Sequence, residues 1–91
     1  MPDRNSYQLT LSGRAYETLR DLDKNIAKRI AKKLVWLAEN AETVGHEMLT
    51  GQWRGYFRWR IGDYRILYIL DHEERLIDVA LIGHRSDIYD E

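Results

Sequence analysis

The chain of 91 residues contains no cysteine, one proline and no excess of positive charge, and each shortage excludes something. Without cysteine there is no disulfide framework, no thiol nucleophile and no thiolate metal site. The only proline is Pro2, so no proline interrupts a helix or a strand. The apolar runs are far shorter than the roughly 20 residues that cross a bilayer. The first residues also lack the apolar segment of a signal peptide, and we therefore expect a cytoplasmic protein with no membrane partner.

The remaining composition is that of a folded protein, and we expect a single domain over residues 1–91. Hydrophobic residues make up 44% and charged residues 32% of the chain, which argues against disorder. The net charge of −1 is awkward for a nucleic-acid enzyme, because contact with phosphate needs positive charge. Four arginines nevertheless lie close together with a single acid among them: Arg54, Arg58, Arg60, Asp63 and Arg65. They indicate either a basic surface or ordinary solvated strand residues.

The hydrophobic periodicity of the first half predicts a short strand and two helices. Residues 7–11 alternate between apolar and polar, and Ser12 is expected to cap a helix that ends near Asp23. A turn is expected at Lys24 and Asn25. The second helix carries apolar residues every three or four positions: Ile26, Ile30, Leu34, Leu37 and Ala41. Residues 43–51 have no period, and we expect them to form a loop.

The second half predicts three strands, at residues 53–61, 64–70 and 76–82. Gly62 and Asp63 are expected to form the tight hairpin turn between the first two. The predicted order is β-α-α-β-β-β, an α+β fold in which a helical hairpin packs on one face of a small, mainly antiparallel sheet. The other face of the sheet is then available for function.

The strand at 53–61 is the most informative segment, because side chains alternate between the two faces of a strand. One face carries the large apolar residues: Trp53, Phe57, Trp59 and Ile61. The other face carries candidate substrate-binding residues: Arg54, Tyr56, Arg58 and Arg60. Arginine binds phosphate through paired hydrogen bonds, and an aromatic ring among arginines suits unstacked bases. The same row also fits an exposed face whose charges discourage aggregation.

Arg65 interrupts an otherwise apolar central strand, where a charge needs a partner or a functional site. One alternative is a salt bridge to a nearby carboxylate, such as Asp78 on the adjacent strand, and the other is a place in the site. The spacing of the three histidines matches no metal-ligand pattern, and we expect neither a metal nor another cofactor. His46 and His72 are expected to be solvated loop residues, whereas His84 is a candidate base at neutral pH.

Four segments together resemble the RelE/ParE toxin superfamily: LTG at 49–51, YFRWRI at 56–61, GDYRILY at 62–68 and IGHRSDIY at 82–89. The resemblance covers nearly the whole chain, because the length and the order of elements also agree. It implies the toxin of a type II toxin–antitoxin system with a cognate antitoxin as partner. The RelE branch implies a metal-independent endoribonuclease that cleaves mRNA in the ribosomal A site and inhibits translation. The alternative is the ParE branch, whose toxins poison gyrase without nuclease activity.

The resemblance also implies roles for the strand arginines. Arg58 and Arg60 match two basic strand residues, which are usually lysines in the best-known RelE toxin. Arg65 matches the arginine that contacts the scissile phosphate. Because arginine stays protonated, we expect these residues to stabilise charge on the phosphate rather than to transfer protons.

The C-terminal segment carries the other catalytic residues that the resemblance implies. Arg85 matches the C-terminal arginine of the site, Tyr89 matches the tyrosine assigned as base, and His84 matches a position where some relatives carry histidine. In the implied reaction the ribose 2′-hydroxyl attacks its own 3′-phosphate, which gives a 2′,3′-cyclic phosphate and a 5′-hydroxyl. Whether Tyr89 or His84 is the base stays open at this point.

Overall fold

The computed structural model describes residues 6–88 as two helices packed on one face of a five-stranded sheet. The helices are α1 (Gly13–Asp21) and α2 (Lys24–Glu39), and the strands are β1 (Gln8–Leu11), β2 (Glu47–Met48), β3 (Phe57–Ile61), β4 (Tyr64–Asp71) and β5 (Leu76–His84). The order across the sheet is β1-β5-β4-β3-β2. β1 is parallel to β5, and all other neighbours are antiparallel. The predicted α+β fold class is therefore confirmed. No helix of this described part is long and apolar enough to span a membrane.

Ser12 begins α1 and also ties it to the sheet. Its hydroxyl oxygen accepts a hydrogen bond from the Ala15 amide at 3.0 Å and donates one to the Ala80 carbonyl at 2.7 Å. The predicted N-cap is therefore confirmed. Because one hydroxyl group makes both bonds, the first turn of α1 is held directly against β5.

The second helix begins earlier than predicted. The side chain of Asp23 accepts a hydrogen bond from the Asn25 amide at 3.1 Å, so Lys24 and Asn25 form the first turn of α2. The prediction of a turn at these two residues is wrong, because aspartate at this position is a strong N-cap. Most of the apolar stripe predicted for the second helix is buried in the core: Ile30, Leu34, Leu37 and Ala41, which lies two residues beyond α2. Ile26 is partly buried and packs against the same core.

The core lies between this stripe and the helix-facing side of the sheet. The two central strands β4 and β5 contribute its most deeply buried members: Ile66, Tyr68, Ile77 and Val79. The alternation predicted for β3 is confirmed within the strand itself. Its apolar residues pack against the core: Phe57, Trp59 and Ile61. The arginines between them point to the opposite face.

The segment before β3 is a turn rather than the first half of a strand. Gly51 and Gly55 have φ angles of 66° and 95°, a region that breaks an extended chain and favours glycine. Residues Gly51–Trp53 form a 3₁₀ turn, and the Tyr56 amide donates to the Trp53 carbonyl at 3.0 Å. Arg54 therefore lies in a turn and Tyr56 lies between that turn and β3, so their predicted place on the strand is wrong.

The predicted loop at 43–51 contains a strand that the sequence pattern did not reveal. In β2, Glu47 pairs with Arg58 and Met48 pairs with Phe57. Two residues are too few to show a period, so the expectation of a loop was incomplete. The extra strand matters because it places the Glu47 carboxylate beside the strand arginines.

Gly62 makes the predicted hairpin turn between β3 and β4. Its φ angle is 57°, and it occupies the first of the two turn positions between Ile61 and Tyr64, where one of the common hairpin turns takes glycine. The guanidinium group of Arg29 from α2 lies against this glycine, where a Cβ atom would collide with it. The turn is thereby packed against the second helix.

We expect Leu34→Ala to lower the free energy of unfolding by about 2–5 kcal/mol, because it leaves a cavity in the packed core. Leu34 is 2% exposed, whereas the adjacent Val35 is 51% exposed. Val35→Ala is the matched control and should change stability by less than about 0.5 kcal/mol. Urea unfolding followed by circular dichroism measures both, and equal effects would contradict this account of the core.

Candidate functional site

Three of the predicted arginines lie together on the face of the sheet opposite the helices. The register pairs Arg58 with Leu67 and Arg60 with Arg65, and it pairs Glu47 with Arg58. Partners that face each other in this way point to the same side of a sheet. We call the surface formed by Glu47, Arg58, Arg60 and Arg65 the arginine face.

Two of these arginines are nearly buried, which is unusual for a charged side chain. Arg58 is 5% exposed and Arg65 is 7% exposed, whereas the side chain of Arg60 is 56% exposed. Arg58 donates from Nε and Nη2 to the two carboxylate oxygens of Glu47, at 3.2 and 2.5 Å. This paired geometry is the one by which arginine recognises a planar anion.

Arg65 also contacts the backbone of the hairpin turn. Its Nη1 donates to the carbonyl oxygens of Gly62 and Tyr64, each at 3.1 Å. The alternative of a salt bridge to Asp78 is wrong. Asp78 lies opposite Ile69, four residues from Arg65 along β4, or about 13 Å at the usual strand rise. Arg65 therefore anchors the β3–β4 turn and adds positive charge to the arginine face.

Glu47 is the residue of this site that sequence reasoning missed. Its Oε1 lies 4.0 Å from Nε of Arg60, in addition to its two bonds with Arg58. The hydrogen bond from Arg58 lowers the pKa of the Glu47 carboxyl, burial opposes that shift, and the charges of the three arginines reinforce it. The carboxylate is therefore ionised at neutral pH. Its position depends on pairing between residues 47 and 58, which no local pattern shows.

His46, the residue before Glu47, is fixed by two hydrogen bonds. With its ring neutral, its Nε2 donates to the Ala41 carbonyl at 2.8 Å, so Nδ1 accepts from the Tyr68 hydroxyl at 2.6 Å. Tyr68 is completely buried, and this burial raises the pKa of its phenol, which keeps the hydroxyl a donor. The expectation of a solvated His46 is wrong, because the side chain is half-buried.

His72 is exposed as expected, although Nδ1 lies 2.6 Å from the Tyr7 hydroxyl.

The structure does not bring His84 to the arginine face. His84 pairs with Tyr64, whereas Arg65 pairs with Gly83, the residue before His84. Because successive side chains point to opposite faces of a strand, the His84 ring lies on the face opposite Arg65. It contacts the Tyr64 ring edge-on at 5.5 Å, and Nδ1 accepts a hydrogen bond from the Ser86 amide at 3.1 Å. A role for His84 as the base finds no support in this placement.

Arg85 lies at the hairpin turn rather than over the arginines. Its amide donates to the Asp63 carbonyl at 2.7 Å, and its side-chain Nε lies 3.9 Å from the Asp63 carboxylate. The chain then turns back over the sheet, where Ile88 packs on Gly83 next to Arg65 in the register. The predicted base Tyr89 lies outside the described residues.

Arg54 and Tyr56 are separated from the row of strand arginines. Arg54 is exposed in the turn before β3, and the ring of Tyr56 packs edge-on against Trp53 with the centroids 5.3 Å apart. Their predicted role in binding substrate is not tested by this arrangement. Within residues 6–88, no three histidine, aspartate or glutamate side chains are grouped so that they could hold a metal ion.

The family model for the ParE toxin of the type II toxin–antitoxin system parDE matches residues 9–89. The chain therefore belongs to this family of toxins, which confirms the resemblance to the RelE/ParE superfamily. No curated protein sequence matches the chain.

Several solved toxin structures have the same fold. The RelBE2 toxin–antitoxin complex from Mycobacterium tuberculosis gives a TM-score of 0.80 at 24% identity, over 96% of this chain and 100% of that one. The isolated RelE toxin of E. coli gives 0.71 at 21% identity, over 87% and 84%. The YoeB dimer from Staphylococcus aureus gives 0.67 at 24% identity, over 87% and 97%. These similarities show a shared fold.

We expect Glu47→Gln to lower the free energy of unfolding by roughly 1 kcal/mol at pH 7, because it removes the anion that balances the nearly buried Arg58. The folded-state pKa of Glu47 is lowered, so the stability that its carboxylate contributes is complete above the ordinary glutamate pKa of ~4.3. It is lost as the pH falls through the lowered value. The difference between wild type and variant should therefore narrow as the pH falls below about 4.

Urea unfolding at pH 7, 5 and 3.5 measures this difference. Glu39→Gln is the matched control, since Glu39 is an exposed carboxylate at the end of α2. A Glu47→Gln variant as stable as wild type at pH 7 would show that the ion pair contributes nothing to the fold.

Proposed function

We propose that this toxin is a metal-independent endoribonuclease that cleaves mRNA in the ribosomal A site and so inhibits translation in the cytoplasm. The observation that carries the proposal is the convergence of Arg58, Arg60 and Arg65 around a single carboxylate on one sheet face. A group of preorganised cations is what a phosphodiester needs when negative charge develops during cleavage. The resemblance to RelE toxins agrees with this use of the arginines.

In the proposed reaction the 2′-oxygen attacks the adjacent phosphorus, the bond to the 5′-oxygen breaks, and a 2′,3′-cyclic phosphate forms. The arginines stabilise the charge on the pentavalent intermediate. A base removes the 2′-proton, and the departing 5′-oxygen takes up a proton from solvent water and leaves as a 5′-hydroxyl. We assign assistance of this departure to Arg85, as the resemblance implies.

Two residues compete for the role of base. Tyr89 is the one that the resemblance implies, and positive charges would favour the phenolate of a tyrosine placed among arginines. Glu47 is the carboxylate that the arginine face already holds, and it is ionised before substrate arrives. A phosphate that binds Arg58 and Arg60 would weaken their hold on Glu47 and raise its affinity for a proton. Binding of substrate would thus turn Glu47 from a counterion into a base.

A second candidate function is the poisoning of gyrase without nuclease activity. The matching family model is named for ParE, and the tight pair of Arg58 with Glu47 allows a purely structural role for the buried charges. For both candidate functions, the partner that inhibits the toxin is a cognate antitoxin. The two candidates differ in which nucleic acid is damaged.

Induction of the chain in a bacterial host, followed by primer extension on an abundant messenger, tests the proposal. We expect cuts within translated regions that leave 5′-hydroxyl ends. Arg60→Ala should reduce cutting by about 10²–10³-fold, and of Glu47→Gln and Tyr89→Phe the variant that removes the base should do the same. Arg65→Ala should abolish cutting. Because Arg65 also anchors the hairpin turn, the thermal unfolding of this variant must be measured together with its activity.

Arg20→Ala is the matched control, because Arg20 is an exposed arginine of α1 that pairs with Asp21. It should cut as wild type does. Growth arrest with intact messenger RNA and broken DNA would contradict the nuclease proposal and support the poisoning of gyrase. Cleavage of free RNA at the same rate as RNA on translating ribosomes would contradict the A-site part of the proposal.

A further inference from the structure

A second basic cleft lies between α2 and the outer edge of β3. It encloses a volume of about 350 Å³ and is lined by Arg29, Lys33 and Trp36 of α2 and by Trp59, Arg60 and Gly62 of the β3 hairpin. Three of the lining residues are cations and none is an acid. We call it the tryptophan cleft.

The tryptophan cleft is continuous with the arginine face. The shallow cleft above Glu47 and Arg58 is also lined by Trp59 and Arg60, so the two clefts share these side chains. β2 pairs only with the first two residues of β3. Along the rest of β3, no strand of the described residues closes the edge between the clefts. An extended ligand on the arginine face therefore has an open path toward α2.

Trp36 supplies an aromatic surface on this path. It is 44% exposed, and its ring lies 6.0 Å from the ring of Trp59 with an angle of 32° between their planes. Because the two rings contact each other, a base does not fit between them and would stack on the free side of Trp36. Stacking on an exposed ring beside cations is how proteins bind single strands without reading their sequence.

We propose that the tryptophan cleft binds a nucleotide of the RNA strand next to the scissile bond, with the base on Trp36 and the phosphate on Lys33 and Arg29. The inference rests on the proposed function, because the strand in the cleft is the one cut at the arginine face. Charge complementarity favours RNA here, since an anionic backbone matches three cations with no acid between them. The cleft would then hold the flanking RNA in line with the reacting phosphate.

Binding of non-cleavable RNA to the full chain tests this inference. Strands of three and nine nucleotides are made with 2′-O-methyl groups, which remove the nucleophile, and their affinity is measured by fluorescence anisotropy at low salt. We expect Trp36→Ala to weaken the nine-nucleotide strand roughly ten-fold and to leave the trinucleotide unchanged. Trp36→Phe should retain most of the affinity, since it keeps a ring.

Two matched controls come from the same helix. Val35→Ala removes an exposed apolar side chain outside the cleft and should leave both affinities unchanged. Lys33→Gln should weaken the longer strand and lower the slope of affinity against salt by roughly one phosphate contact, whereas Lys32→Gln should weaken it less. Lys32 is exposed and does not line the cleft.

Equal affinity of Trp36→Ala and wild type for the longer strand would overturn the inference. If Trp36→Ala had no effect but Arg60→Ala weakened the binding of both strands, the cleft would have no role in RNA binding while the proposed function would remain supported. A Trp36→Ala variant that binds RNA normally but loses an acidic peptide of the antitoxin would assign the cleft to that partner instead. If the wild-type protein bound neither strand, the inference would be overturned. The same result would show that the arginine face does not bind RNA in the isolated protein.

Discussion

The arginine face depends on the pair of hydrogen bonds that joins the Glu47 carboxylate to the Arg58 guanidinium. Arg60 and Arg65 lie directly opposite each other on neighbouring strands, and like charges in that position destabilise a sheet. Glu47 offsets this repulsion and also attaches β2 to β3, so charge balance and strand pairing arise together. The face is thus organised around an anion before any ligand arrives. Under the proposed function, the substrate phosphate replaces the Glu47 carboxylate as the anion bound to the arginines, so the arginines are never without a negative partner.

A short chain of contacts connects this surface to the core. Tyr68 is completely buried in the middle of the sheet, and its hydroxyl group bonds to His46, which directly precedes Glu47. The second bond of His46, to the Ala41 carbonyl, joins the same ring to the end of the helical layer. Changes in the core can therefore move the carboxylate without touching an arginine, since hydrogen bonds in such networks depend on one another.

The sequence predicted those parts of the molecule that rest on regular patterns. The stripe of α2, the Ser12 cap, the glycine turn and the alternation within β3 all follow from local spacing, and the structure contains each of them. The errors occurred where a distant contact decides the local structure. Glycines 51 and 55 turn the chain where alternation predicted a strand, β2 exists only through its pairing with β3, and Glu47 entered the site by that pairing. His84 was grouped with the arginines by its position in the sequence, whereas the register of β5 places it on the other face of the sheet, and Arg85 follows the strand in a turn beside Asp63.

Gly83 leaves space beside β5 for the side chain of Ile88. A Cβ atom at this position would lie 2.8 Å from Cδ1 of Ile88, closer than two carbon atoms can approach. The hydrogen atom at position 83 thus leaves room for the Ile88 side chain beside the position that pairs with Arg65. A larger residue there would displace the Ile88 side chain while the three arginines and the carboxylate kept their places on β2, β3 and β4. Loss of toxicity through such a change would show that a complete arginine face does not by itself guarantee an active molecule.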